Sequence, residues 1–228
     1  MSQPERSELG TAETILSVAI ELTDAFTGRQ PRGPHVRLSD RPETFTRTPS
    51  GYFVLTDLPE DAAPITVTVD GSRDYLPEQF RIEAAELDSS PVIETIELVP
   101  SPAYRFPAST TLVRGSITEG SDPGVALSDA TVTIEGTDVE GPDVPPFRAG
   151  GRSDERGEYV LFITGITADD VIVSYEDGTG EDGEPGARFV HVGEEKPTVR
   201  AVHPDTGEEI DESIAVPVGR TTRLDLGF

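Results

Sequence analysis

The chain has 228 residues, of which 43 are Asp or Glu and 18 are Lys or Arg, so its formal net charge is −25. Binding of DNA or RNA requires a basic surface for phosphate contacts, and the Arg residues form no basic cluster, so no nucleic acid partner is expected. Cysteine is absent, which excludes disulfides and thiol chemistry.

The N-terminal segment, residues 1–14, is predicted to be an extension that precedes the first folded domain. It lacks the basic region and the following apolar region of a secretory signal. No later apolar run approaches the roughly 20 residues that a membrane-spanning helix requires. The sequence therefore predicts synthesis in the cytoplasm without a signal peptide, and no membrane insertion.

Short apolar or alternating runs, separated by Gly, Pro, Asp and Ser, predict strands along the rest of the chain. Val67 and Val69, for example, alternate with Thr and Asp as in a half-buried strand. Residues 77–86 fit either a helical turn or a further strand. The predicted strands are 15–23, 35–40, 52–55, 65–70, 92–99, 112–118, 131–135, 158–163, 171–175, 188–192, 198–202 and 222–228. This pattern indicates an all-β protein.

The predicted strands form two similar series. Residues 49–70 align without gaps on residues 155–176, with Gly51 opposite Gly157 and Phe53 opposite Tyr159. We therefore expect two tandem antiparallel β-sandwich domains. The predicted boundaries are 1–14 for the extension, 15–100 for the first sandwich, 101–111 for a Pro-rich linker, and 112–228 for the second sandwich, which has long acidic loops.

Both copies place a Gly in a tight turn immediately before a strand that buries an aromatic side chain. Gly51, Phe53, Gly157 and Tyr159 are therefore predicted to be structural turn and core residues. The acids beside the second Gly, at 154 and 155, are interpreted as surface turn residues.

Residues 112–175 resemble carboxypeptidase regulatory-like domains, which are transthyretin-like sandwiches. The family pattern has Gly in the first strand, a small residue before a Val-containing strand, and a Ser-Asp-x-x-Gly-x-Tyr turn. The matching residues are Gly115, Ala130, Val132, Ile134, Ser153, Asp154, Gly157 and Tyr159. The resemblance implies an antiparallel sandwich of about seven strands, similar to immunoglobulin-like domains, and it implies no chemistry.

Two sequence features could indicate catalysis, and both have simpler interpretations. Residues 205–207 read Asp-Thr-Gly, the triplet of aspartic proteases, but the preceding Pro204 and the following Glu residues favour an exposed turn. An isopeptide bond would require a buried lysine, and the single lysine, Lys196, lies in a segment that reads as an exposed loop. No catalytic residue is predicted, and the protein is not expected to be an enzyme.

Three histidines, His35, His191 and His203, are the available imidazole ligands. A zinc site requires at least two of them together with a carboxylate. His191 and His203 lie in neighbouring predicted strands and could approach each other, but exposed strand or loop positions explain them equally well. No metal site or cofactor is predicted.

Two long acidic loops, residues 135–151 and 175–187, are rich in Gly and Pro. Long loops often carry function. The second loop contains oxygen ligands for calcium without the ordered spacing of a calcium-binding loop, so a cation site, a protein contact and a solvated loop all remain open. The predicted contact residues are Pro145, Pro146, Phe147, Asp177 and Asp182.

The composition resembles that of proteins from salt-in halophilic archaea, in which a dense carboxylate surface stays hydrated while salt screens its repulsion. Residues 98–115 resemble a Pro-aromatic-Pro joint that precedes regulatory-like sandwiches in contractile injection and phage-tail-like loci. These resemblances imply a structural or adaptor subunit with other protein subunits as partners, in a particle that lysis could release. Segment 2–14, the loops 138–148 and 177–187, and exposed edge strands are the expected contacts.

Two other functions are consistent with the sequence. A carbohydrate-binding or ligand-binding sandwich is one, although sugar platforms usually present several exposed aromatics and this chain has no Trp and five Tyr. A cytoplasmic regulator that binds a single partner protein is the other.

Overall fold

The fold is described from a computed structural model. The structure describes residues 16–31, 33–39, 45–57, 64–83, 92–120, 124–135, 148–166, 171–174, 187–190 and 196–228. These residues form strands, turns and loops with no helix among them. The protein is all-β.

The chain divides into two compact units, and each unit is a β-sandwich. Unit 1 comprises Met1–Thr23, Gln30–Asp70 and Pro77–Glu97, and unit 2 comprises Asp24–Arg29, Gly71–Leu76 and Leu98–Phe228. The Pro-rich segment predicted as a linker lies in unit 2, together with two short segments from the N-terminal half of the chain.

The described residues form nineteen strands. Their bounds are β1 Leu16–Asp24, β2 His35–Leu38, β3 Thr46–Arg47, β4 Phe53–Thr56, β5 Ile65–Asp70, β6 Glu78–Ile82, β7 Val92–Leu98, β8 Thr111–Glu119, β9 Val125–Ala126, β10 Thr131–Glu135, β11 Arg148–Arg152, β12 Glu158–Ile163, β13 Val171–Ser174, β14 Ala187–Val190, β15 Thr198–Val202, β16 Glu209–Ser213, β17 Val216–Pro217, β18 Thr221–Arg223 and β19 Leu226–Gly227.

Unit 1 packs one sheet of order β3-β4-β1-β7 and one of order β2-β5-β6 around an aliphatic core. Alternation in β5 decides its inner face, because Ile65, Val67 and Val69 are at most 1% exposed while the Thr residues between them are half-buried. In the other sheet, β1 and β4 pair antiparallel, with Ile20 opposite Phe53. The segment 77–86, whose sequence fits either a helical turn or a strand, contains strand β6.

Unit 2 has a larger core and more strands. Its sheets have the orders β12-β8-β18, β11-β10-β15-β16 and β13-β14-β17, with β9 and β19 also paired to β8. The fully buried side chains include Ile117, Ile134, Tyr159, Leu161 and Val199. Strands β8, β10, β12 and β15 therefore contribute to one core.

Within unit 2, the strands pair antiparallel except at the end of the chain, where β18 and β19 run parallel to β8. Two hydrogen bonds at the start of β8 explain this direction. The N–H of Gly219 donates to Thr111 Oγ1 at 2.8 Å, and the N–H of Leu112 donates to the carbonyl of Arg220 at 3.0 Å. The returning chain therefore enters beside the start of β8 and continues in the same direction. The single strand predicted over 222–228 is consequently two short strands.

The glycine turns of the two copies have the same geometry. Gly51 has φ 93° and Gly157 has φ 72°, both in the left-handed region that favours glycine. The N–H of Gly51 donates to the carbonyl of Thr48, and the N–H of Gly157 donates to the carbonyl of Asp154, each at 2.9 Å. Each turn delivers the chain into a strand that pairs with the first strand of its module.

The aromatic residues after these turns are buried in both units, with Phe53 6% and Tyr159 1% exposed. Tyr159 lies opposite Gly115 in the sheet, and its hydroxyl donates to the carbonyl of Leu224 at 2.7 Å. A Cβ at Gly115 would lie 3.1 Å from the Tyr159 ring and would overlap the Leu224 carbonyl. Glycine at position 115 therefore leaves room chiefly for the Leu224 carbonyl and also for this ring.

The two modules differ in their second sheet. In unit 1, β2 pairs with β5. In unit 2, the corresponding strand β10 is enclosed by β11 and β15, and β13 pairs with β14 instead. Several of the additional strands carried no sequence signal because they are short or polar. β16, for example, is largely exposed and has no apolar alternation.

Candidate functional site

Unit 1 contains a cleft of about 420 Å³ between strands β6 and β7. Its lining residues run from Glu78 to Ile82 and from Glu94 to Glu97. Among the described residues, β6 is the last strand of one sheet and β7 is the last strand of the other. The cleft therefore lies at an edge of the unit 1 sandwich that no described strand covers.

The floor of the cleft is apolar. Phe80 pairs with Val67 and Ile82 with Ile65, so both side chains point to the same face as buried core residues. Ile82 is 2% exposed, whereas Phe80 and Ile96 are half-buried. The apolar core thus continues into the cleft.

The pairing of the neighbouring strand β5 shows which backbone N–H and C=O groups of β6 point away from the sheet. The N–H of Ser39 in the β2 segment donates to the carbonyl of Thr66, so the backbone groups of Thr66 face β2. Because N–H and C=O directions alternate along a strand, Val67 faces β6, and so its partner Phe80 faces β5. By the same alternation, the backbone groups of Gln79 and Arg81 face away from the sheet.

Strand β7 has the corresponding arrangement. Thr23 Oγ1 donates to the carbonyl of Ile96 at 3.4 Å, which places that backbone group on the β1 side. The backbone groups of Thr95 and Glu97 then face away from β1. A protein edge strand with outward N–H and C=O groups is a template for pairing with another chain.

The rim of the cleft is acidic. Glu78, Glu94 and Glu97 line it, while the lining cation Arg81 pairs with Glu83 at 2.7 Å. Within the described part of the chain, no cation lies at ion-pair distance from Glu94 or Glu97. The cleft therefore combines an apolar floor with net negative charge.

A buried carboxylate in unit 2, Asp24, is the other notable polar feature, and it is 4% exposed. Its Oδ2 accepts hydrogen bonds from the hydroxyls of Tyr75 at 2.8 Å and Tyr104 at 2.7 Å. Its Oδ1 accepts from the backbone N–H groups of Phe26 at 2.7 Å and Thr27 at 3.1 Å. With four donors, this carboxylate organises the three segments that carry them.

The electrostatics of this cluster oppose proton transfer. Burial alone would raise the pKa of Asp24, but the hydrogen bonds from the two tyrosines and the backbone outweigh it, so the pKa is lowered. Burial and the bond to Asp24 raise the pKa of Tyr104 to about 12 and that of Tyr75 further. An ionised acid held by neutral phenols has a structural role.

Aromatic rings of unit 2 pack beside this cluster. Phe26 makes edge-to-face contacts with Phe106 and Phe162, with ring centroids 5.1 and 5.4 Å apart. Arg114 lies over the ring of Phe106 and donates to the carbonyl of Pro102 at 2.6 Å. The Pro-rich segment is thereby fastened within unit 2.

Of the two predicted turn acids of the second module, Asp154 holds the turn together. Asp154 Oδ1 accepts from the N–H groups of Arg156 at 2.9 Å and Glu158 at 3.0 Å. Glu155 is exposed. Hydrogen bonds to the backbone explain the position of Asp154.

His203 is 4% exposed and forms part of the Pro-Asp-Thr-Gly turn. Its Nδ1 accepts from the N–H groups of Asp205 at 3.1 Å and Thr206 at 3.3 Å, so the proton of the neutral ring is on Nε2. Among the described residues Nε2 has no hydrogen-bond partner, and it lies 3.6 Å from a carboxylate oxygen of Glu119. The Asp-Thr-Gly triplet is consequently a turn closed by the histidine.

Among the described residues, the other candidate ligands are not brought together. His35 is exposed in unit 1, and His191 lies outside the described residues. Lys196 is exposed. In the part of the chain that the structure describes, no three His, Asp or Glu residues are grouped as metal ligands. That part also includes no helix with the length and hydropathy that a membrane crossing requires.

The contact residues predicted from sequence, Pro145, Pro146, Phe147, Asp177 and Asp182, all lie outside the described residues. The cleft was missed at the sequence level. Its only signal was the ambiguous run 77–86, because two edges that are distant in sequence form the cleft.

Comparison with known proteins gives distant structural similarity alone. No protein family matches the chain, and no curated protein matches it. The chain is similar to the Bacillus anthracis TIE protein (13% identity, TM-score 0.28), covering 94% of this chain and 34% of that one. It thus spans about a third of that protein's length.

Two further structures are GBS52, the minor pilin of Streptococcus agalactiae, and a putative adhesin from Bacteroides ovatus. GBS52 has 8% identity and a TM-score of 0.29, with 92% of this chain and 95% of that chain covered. The adhesin has 9% identity and a TM-score of 0.24, with 100% and 97% covered. At these scores the similarity carries no argument about function.

Proposed function

We propose that this protein is a non-enzymatic structural or adaptor subunit whose role is to contact other protein subunits. The observation that carries this proposal is the open sandwich edge of unit 1, where β6 and β7 present outward backbone groups on either side of an apolar cleft. Natural sheets usually protect such edges, because exposed edges pair with other chains. An edge that no described strand covers therefore offers an assembly surface.

Two carboxylates of unit 2 support the same role. Asp24 accepts four hydrogen bonds from within its own unit, and Asp154 is used by its turn. A general acid or base must reach a substrate proton. These carboxylates stabilise the scaffold that carries the contact surfaces.

We further propose that the assembly is a phage-tail-like or contractile injection particle of a halophilic archaeon, and that the second sandwich belongs to the carboxypeptidase regulatory-like group. The formal charge of −25 supports a high-salt environment. The contact of Gly115 with Tyr159 supports the family pattern. The composition of residues 98–115 supports the assignment to such a particle.

Sedimentation of a native lysate tests the proposal. The lysate of the organism that encodes the chain is prepared in about 2 M KCl, which screens charge to about 2 to 3 Å, and is separated on a density gradient. We expect most of the chain to sediment with a large complex in fixed ratio to its partners. Recovery of the whole population as a free 24.4 kDa monomer would contradict it.

A further inference from the structure

The open edge of unit 1 has the chemistry to select one kind of partner. Resting on the proposed contact function, we infer that the cleft between β6 and β7 binds an extended segment of another protein in which Lys or Arg alternates with apolar side chains. The segment adds as a strand to one of the two edges. Three properties of the cleft lead to this partner.

The first property is the backbone edge. The outward N–H and C=O groups of Gln79 and Arg81 on β6, and of Thr95 and Glu97 on β7, can pair only with a chain that is itself extended. A strand alongside either edge would present alternate side chains to the cleft. The other side chains would face solvent.

The second property is the exposed apolar surface at this edge. Phe80 and Ile96 line the cleft and are half-buried at its floor. Covering such side chains removes apolar surface from water. The inward side chains of the partner segment are therefore apolar.

The third property is charge. Glu78, Glu94 and Glu97 line the cleft, and the one lining cation, Arg81, is engaged by Glu83. A neutral or acidic strand would bring no compensating charge, and a second copy of this chain would bring a net charge of −25. Lysine or arginine side chains at the rim place cations beside Glu94 and Glu97.

A peptide titration tests the inference. The probe is a fluorescein-labelled peptide of eight residues that alternates lysine and valine, and its binding to the full chain is followed by fluorescence anisotropy in about 0.5 M KCl. We expect saturable binding that weakens at least about fivefold in the double variant Glu94→Gln and Glu97→Gln. A matched control, Glu155→Gln with Glu212→Gln, removes the same charge from exposed positions of unit 2 and should bind as the unaltered chain does.

A second probe separates strand addition from simple charge attraction. The same peptide, methylated on alternate backbone nitrogens, keeps its charge but cannot donate the edge hydrogen bonds. We expect about tenfold weaker binding of this probe if the backbone pairs. Equal binding of both probes, equal weakening by the two pairs of substitutions, or no saturable binding would overturn the inference.

The two proposals fail separately. A double variant at Glu94 and Glu97 that still sediments with the native complex would overturn the role of the cleft and leave the contact function standing. An unaltered chain that binds the peptide yet never sediments with a complex would contradict the contact function instead. Circular dichroism of each variant checks that its strands are retained.

Discussion

Replacing Asp24 with Asn tests the central polar cluster of unit 2. The carboxylate accepts two tyrosine hydroxyls and two backbone N–H groups, all between 2.7 and 3.1 Å. An amide keeps one oxygen for the backbone donors and presents its NH₂ group to the hydroxyls. Two charge-assisted bonds are then replaced by two neutral ones, each weaker by about 1 to 1.5 kcal/mol. We expect Asp24→Asn to lower the free energy of unfolding by about 2 to 3 kcal/mol at pH 7.

The cluster also makes a pH-dependent contribution with a defined sign. The pKa of Asp24 is lowered in the folded protein, so folding favours the ionised form. Its contribution is fully present above the unfolded pKa of about 3.9, and it is lost as the pH falls through the lower folded value. The stability difference between the unaltered chain and Asp24→Asn should therefore shrink as the pH is lowered from about 5 toward 2.

Urea unfolding followed by circular dichroism measures both effects. Tyr75→Phe and Tyr104→Phe provide the control cycle, since each removes one donor and should cost about 1 to 2 kcal/mol. Their effects should be smaller in the Asp24→Asn background, where each hydroxyl takes part in a neutral hydrogen bond only. The reasoning would be refuted if Asp24→Asn lowered the free energy of unfolding by less than about 0.5 kcal/mol at pH 7, or if its difference from the unaltered chain did not change with pH.

Three further predictions concern the glycine turn, the buried phenol and the acidic surface. Gly157→Ala should lower the free energy of unfolding by about 2 to 4 kcal/mol, because φ is 72° and the new Cβ would lie 2.5 Å from the Ile117 carbonyl oxygen. The control Gly165→Ala has a similar φ of 74° but no atom within 4 Å of the new Cβ, so it should lower the free energy of unfolding by only about 1 kcal/mol. Equal losses in urea unfolding would contradict the steric argument. Tyr159→Phe should lower the free energy of unfolding by about 1 kcal/mol, because it removes only the 2.7 Å hydrogen bond from the hydroxyl to the Leu224 carbonyl. A decrease above about 3 kcal/mol would show that the ring also changes position. Raising KCl from about 0.1 to 2 M should raise the melting temperature of a chain with charge −25, as followed by circular dichroism; a constant or falling value would count against high-salt adaptation.

The repeated module was accessible from sequence because its determinants are local. A left-handed turn position selects glycine, and a strand with one buried face selects alternation, so Gly51 and Gly157 could be matched without coordinates. The second sheet could not be predicted in the same way. β16 has no apolar period because its side chains are largely exposed, and the parallel pairing of β18 with β8 depends on contacts more than 100 residues apart.

The candidate sites show the same division. Asp24 lies 51 residues from Tyr75 and 80 from Tyr104, and no spacing rule relates them. The cleft requires β6 and β7 to end two different sheets of one sandwich. Neither arrangement produces a residue pattern that could be recognised within one strand of the sequence.

By itself, the sequence determined the fold class, the duplicated turn and strand, and the acidic surface, because each depends on residue type and on neighbours a few positions away. The tertiary structure alone decided which carboxylate is buried among phenols, which strands are left at the edges, and which acids surround an apolar cleft. Those outcomes depend on pairing between distant segments, and the free energy of such pairing comes from shared burial that local composition does not encode.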